Sequence, residues 1–204
     1  MEQEKQDFFT ETDNFTDLSG YFLLAMPGMD SGIFDGSLVY LFEHTPESAG
    51  GVIINRVTDV ELSELLERFE LEAPADLEQQ WVFFGGPVQP MRGFVLHPKS
   101  SLDEEAISDE VESQVAEVLE LSNSRDILQD YVLGRGPDNA LICFGYAGWG
   151  EGQLEDEIRQ NVWLTIPANN HDLIFKHPVH DRYHAALAIL GIELSSLSSQ
   201  IGHA

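Results

Sequence analysis

GYFLLAMPGMDSGIFDGSLVYLFEHTPESAGGVIINR, residues 20–56, is the stretch that decides the fold class. It holds three apolar runs of strand length, at 20–26, 37–43 and 51–56, each dense in aromatic, β-branched or long aliphatic side chains. The Pro27-Gly28 break separates the first from the second, and a short turn carrying Pro46 and Gly50 joins the second to the third. Strands that follow one another with no helix between them do not make the strict alternation of a doubly wound sheet. The expected architecture is therefore α+β, in a single domain.

Working outward, residues 1–18 are polar and acidic with few aliphatics, and are expected to form a mobile tail ahead of a domain spanning 19–204. After the third strand, Thr58 and Glu61 stand at capping-box spacing, and Leu62, Leu65, Leu66 and Phe69 make one apolar helical face. Residues 81–84 and 93–97 read as a hairpin around Gly85-Gly86-Pro87. The acidic run 98–115 reads as an exposed loop. Residues 111–121 are ambiguous: Val111, Val115, Val118 and Leu119 have helical spacing, but a strand ending near Leu121 is the expectation adopted. Asn123 or Ser124 caps a helix through Ile127, Leu128, Tyr131 and Val132, stopped by Gly134. Residues 140–146 (ALICFGY) are apolar on both faces and predict a central strand. A short helix follows at 153–160, with Glu155 and Arg159 positioned to pair at i,i+4. Short strands are expected at 162–166 and 173–175, then a last helix presenting Tyr183, Leu187 and Leu190 and closing at Gly191.

Composition limits the functions available. The chain has 204 residues, 43% of them hydrophobic, enough for a sizeable core without a covalent staple. A single cysteine, Cys143, forms no intramolecular disulfide and no metal framework, which fits a reducing compartment. The first residues are acidic where a signal peptide would be basic, and no apolar run approaches the roughly 20 residues a membrane helix needs. A cytoplasmic location with no membrane partner is expected. With 36 Asp and Glu against 10 Lys and Arg, the formal net charge is −26. Nucleic-acid affinity comes largely from cations neutralising phosphates, so direct DNA or RNA binding is not expected.

The motifs are weaker than the charge. Gly148, Gly150 and Gly152, between the apolar strand and a helix, lie where a phosphate loop would, but their two-residue spacing is not that of a dinucleotide fingerprint. Glu151 would meet the phosphate with its own charge, so a glycine-rich turn that packs closely is the simpler account. Gly85 and Gly86 are read the same way. His171, His177, His180 and His184 gather late in the chain, and His180 and His184 are four apart, but no third ligand holds a diagnostic position. No metal and no cofactor are expected. Cys143, within an apolar strand, predicts a buried and inert thiol, and no catalytic constellation is recognisable. Asn55-Arg56 and His44 are polar residues at the ends of apolar strands. Such ends often build sites, and equally often cap and turn.

The motifs GYFLLAMPGM (20–29), FEH (42–44), INR (54–56), FFGGPV (83–88), GFVLH (93–97), SRDIL (124–128), GYAGWGEGQLEDE (145–157), NVWL (161–164) and GHA (202–204) occur in this order. Together they resemble the AlgH/YqgE family over about residues 19–204. The resemblance implies a bifurcated sheet, antiparallel or mixed, curled into a pseudo-barrel with helices packed outside. It implies a cytosolic bacterial protein of unknown biochemical function, usually labelled a candidate transcriptional regulator, with no established catalytic residue. The chain departs from the pattern at Val57, where the family commonly has proline, and in a longer acidic segment between Leu102 and Glu117.

Two functional expectations follow. One is a regulatory protein that acts through an unidentified protein partner and reaches transcription indirectly. The other is a small-molecule-binding protein or unrecognised enzyme whose cleft gathers His44, Asn55, Arg56, Gly85, Gly86, Tyr146, Trp149 and Gln153.

Overall fold

The computed structural model describes residues 15–27, 32–68, 70–71, 80–98, 119–123, 125–137, 139–169 and 171–192. Most of the expected tail, nearly all of the expected loop at 98–115 and the closing GHA lie outside them. The elements run β1 (Tyr21–Ala25), β2 (Leu38–His44), β3 (Ser48–Ile53), β4 (Val57–Glu61), α1 (Leu62–Arg68), β5 (Trp81–Phe84), β6 (Val88–Pro98) and β7 (Leu119–Ser122). They continue through α2 (Arg125–Val132), β8 (Leu141–Gly150), α3 (Gln153–Arg159), β9 (Trp163–Pro167), α4 (Asp172–Phe175) and α5 (Arg182–Ile189). The nine described strands form one mixed sheet in a single α+β domain.

The sheet forks at β8. Its first half pairs β5 in parallel, Phe83 opposite Cys143, and β6 antiparallel, Phe94 opposite Cys143. Its second half pairs β3, Gly50 opposite Gly148. One arm continues through β3, β2, β1 and β9, and the other holds β4, β5, β6 and β7. Both arms feed one inner core, with Phe22, Leu24, Tyr40 and Val52 from the first and Phe83, Phe94, Leu96 and Leu119 from the second. Tyr40 marks the meeting of the arms, its hydroxyl bonded to the Leu119 backbone. The sheet does not close into a barrel: its path ends at β4 on one side and β9 on the other. Leu173, Ile174, Ala186 and Leu187 of α4 and α5 complete the inner core. Helix α3 covers the back of the first arm through Leu154, and α1 and α2 cover the second through Leu62, Leu65, Leu66 and Leu128.

Several expectations are corrected. Residues 81–84 and 93–97 are strands but not a hairpin, because β8 runs between them. The adjacent glycines cause this by lying against the β8 backbone, where a Cβ on Gly86 would sit 2.2 Å from the Tyr146 carbonyl carbon. Thr58 does not cap a helix; it lies in β4, and its Oγ1 donates to the Val82 carbonyl at 2.9 Å. The glycine cluster is not a loop, since β8 continues to Gly150. Residues 173–175 are helical: Leu173 and Ile174 are both buried, and consecutive inward side chains contradict strand alternation. Arg159 pairs with Asp156 instead of Glu155, because Glu155 is engaged by His44.

Candidate functional site

Where the arms part, a cleft of about 460 Å³ opens over β8. Its floor is glycine: Glu43 of β2, Gly50 of β3 and Gly148 of β8 stand in one register row across three strands. Phe42, Phe94, Tyr146 and Trp149 line it, and Glu43, Ser48, Gln89, Arg92 and Asn123 supply polar groups. The Phe94 and Phe42 rings meet Tyr146 edge-on, with centroids 5.6 and 6.3 Å away.

Two irregularities in strand pairing aim these side chains. In β2 the register shifts between Leu41 and Glu43, so Phe42 and Glu43 together oppose Gly50 and both line the cleft. A side chain at Gly50 would meet the Phe42 ring at 2.6 Å, so glycine is what lets that ring lie across β3. In β6 the register shifts between Val88 and Gly93, and residues 89–92 arch out of the ladder. Gln89 holds a left-handed φ of 51°, uncommon for a residue with a side chain, and its Oε1 accepts from Arg92 Nη1 at 3.0 Å. The Arg92 guanidinium lies 5.7 Å from the centre of the Phe94 ring.

The eight residues singled out from sequence divide among five places. Tyr146 and Trp149 line the cleft. Trp149 is 5% exposed, its indole stacked on Phe34 and donating to Glu157 at 2.9 Å. Gln153 is beside the cleft's rim, where its Oε1 accepts the Gly150 N–H at 3.1 Å. Gly85 and Gly86 form the crossing beneath: the Gly85 N–H donates to Phe144, and its carbonyl accepts from Ile53, tying β8 to β3. Asn55 and Arg56 are at a turn away from the cleft lining. Asn55 bonds the Leu38 N–H and the Gly36 carbonyl, and Arg56 donates to the carbonyls of Ile33 and Asp35. His44 is buried at the end of β2. Its Nδ1 accepts from the Leu18 N–H at 3.0 Å, which places the proton on Nε2, donated to Glu155 at 3.0 Å. Nearby, hydrogen bonds from Ser19 hold the Asp17 carboxyl below its usual range.

Sequence reading missed Phe42, Glu43, Gln89, Arg92 and Phe94. A signal existed for Arg92: it has no carboxylate within four residues on either side, in a chain where carboxylates outnumber cations more than threefold.

Other reactive groups lie elsewhere. Cys143 is fully buried, and burial pushes its thiol up from the ordinary value. Arg182 is buried over the Phe83 ring, donates to the carbonyls of His177 and Ile54, and is pushed down to about 10 by desolvation. His97 is bonded to the Pro98 carbonyl and to Ser122 at 3.0 Å. His180 is exposed beside Asp181. Among the described residues no group of three or more His, Cys, Asp or Glu is placed to hold a metal ion, and no helix is long and apolar enough to cross a membrane.

Residues 22–195 match the sequence profile of a family described as AlgH-like. A UPF0301 protein of Albidiferax ferrireducens is 45% identical over 93% of this chain and 96% of its own, and one of Bordetella petrii is 47% identical over 93% and 90%. The solution structure of the AlgH protein from Pseudomonas aeruginosa is similar over the full length of both chains, with a TM-score of 0.71 and 39% identity. A Corynebacterium diphtheriae protein, DIP2367, shares the fold at 20% identity, with a TM-score of 0.54 over 76% of this chain and 80% of its own.

Proposed function

This chain belongs to the AlgH-like family, and from its own geometry we propose that it is a cytoplasmic ligand-binding protein. The cleft over β8 is its working surface. One observation carries this reading: both strands flanking the glycine floor leave regular pairing where they turn aromatic and charged side chains into the cleft. Bulges recur beside binding sites because they re-aim side chains that a regular strand would alternate. Small-molecule sites are concave and combine apolar or aromatic walls with a few convergent polar groups, and this cleft has both. Of the polar groups here, Glu43, Ser48, Gln89, Arg92 and Asn123, the Ser48 hydroxyl meets Thr45 and not a base, which favours binding over chemistry.

Wild type, taken from native lysate and extracted, should retain a compound that the Gly148→Leu variant loses, since leucine would fill the floor. Identical extracts from two folded proteins would reject the cleft.

A second reading rests on charge. With a formal net charge of −26, the chain is poorly suited to hold a polyanion, so any influence on transcription runs through a protein partner. Ligand occupancy of the cleft is then what the partner would sense.

A further inference from the structure

Arg92 is singled out by what it lacks. Among the described side chains, Arg135 and Arg159 pair with carboxylates, Arg56 and Arg182 donate to backbone carbonyls, and Lys176 pairs with Asp172. Among the described residues Arg92 has one hydrogen bond, to the neutral Gln89 amide. In a chain with 36 carboxylates, a guanidinium left with only a neutral partner is a donor group available to a ligand. Across the cleft, Glu43 is exposed and makes no hydrogen bond or ion pair with another described residue. Glu43 on β2 and Arg92 on the β6 arch are separated by β3 and β8. Both side chains line the space between.

Resting on the cleft reading, we infer that the ligand is a short zwitterion of the peptide class, bridging Glu43 and Arg92. Its carboxylate meets the Arg92 guanidinium, its ammonium meets Glu43, and its body lies on the Gly50–Gly148 floor. The aromatic walls of Phe42, Phe94 and Tyr146 then accept an apolar side chain. The charge arrangement argues against other classes. A nucleotide or other polyanion would bring several negative charges to one guanidinium, with Glu43 opposing it. A purely cationic ligand would leave Arg92 as repulsion inside the cleft, and a neutral one would leave both charges unanswered.

The test uses the full chain and three probes: phenylalanylglycine, its N-acetyl derivative and its C-terminal amide. Amide chemical shifts of Gly50, Gly148 and Gly150 serve as reporters. The zwitterion is expected to bind about tenfold or more tightly than either single-charge form, as suits charge-assisted hydrogen bonds at both ends. Arg92→Ala should remove the preference for a free carboxylate, and Glu43→Gln the preference for a free ammonium, while each variant keeps the wild-type spectrum elsewhere. Equal affinity for the three forms, or unchanged preferences in the variants, would overturn the zwitterion assignment. Indole is the neutral control: if it shifts the three reporters and the zwitterion does not, the cleft stands and its ligand class falls. If no probe moves them, both readings fall.

Discussion

Gly86 has a φ of 151° and no room for a β-carbon beside the Tyr146 carbonyl. Gly86→Ala should therefore cost about 3 kcal/mol or more, from backbone strain together with overpacking against main chain that cannot rotate away. A urea unfolding midpoint lowered by only a small fraction of that would show that the crossing tolerates a side chain. Gly150, which has nothing within 4 Å of its missing Cβ, is the matched control, and Gly150→Ala should stay near wild type. Cys143 makes a second prediction at this scale. Its folded thiol is raised above the ordinary value of 9.0 because burial disfavours the thiolate. Between about pH 9 and 10 the unfolded chain releases this proton while the folded chain keeps it, so the unfolded state binds fewer protons and stability falls as pH rises. Below about pH 8 both states hold the proton and the effect vanishes. Cys143→Ala should flatten this decline by about 1 kcal/mol per pH unit, read from denaturation at pH 8, 9 and 10.

Among the elements, α3 is tied to two strands by one carboxylate. Glu157 Oε2 accepts from the indole N–H of Trp149 on β8 at 2.9 Å and of Trp163 on β9 at 2.8 Å, and Oε1 accepts from Gln153 at 2.9 Å. Phe34 packs against both indoles. Removing the carboxylate strands two largely buried donors, so Glu157→Ala should destabilise the protein by about 3 kcal/mol. It should also red-shift tryptophan emission as Trp149 and Trp163 gain access to water, and an unchanged spectrum would count against the clamp. Trp81 is 62% exposed and supplies a constant background. The strands themselves were readable because their apolar runs are bounded by glycine and proline. Their partners were not. A hairpin around Gly85-Gly86 is the local answer to that sequence, and the structure prefers β8 between the two strands because neither glycine presents a side chain to keep a third backbone out.

At the scale of the molecule, the charge makes the sharpest prediction. A fluorescein-labelled duplex in low salt should show no anisotropy change with the purified protein at micromolar concentration, since a formal net charge of −26 repels phosphates beyond contact distance. Tight, salt-sensitive binding would show that scattered arginines assemble into a continuous positive face, and would reverse the argument for an indirect role.

The chain's own order of residues determined the α+β class, the position of most strands and helices, and the buried thiol. All of these depend on composition or on patterns a few residues long. Tertiary structure alone decided that β8 forks the sheet, that Asn55 and Arg56 serve a turn, and that Glu43 and Arg92 line one cleft over a glycine floor. The physical reason is separation: pairing register and bulges are set by backbone contacts between residues dozens of positions apart, and a glycine's value lies in what approaches it from elsewhere.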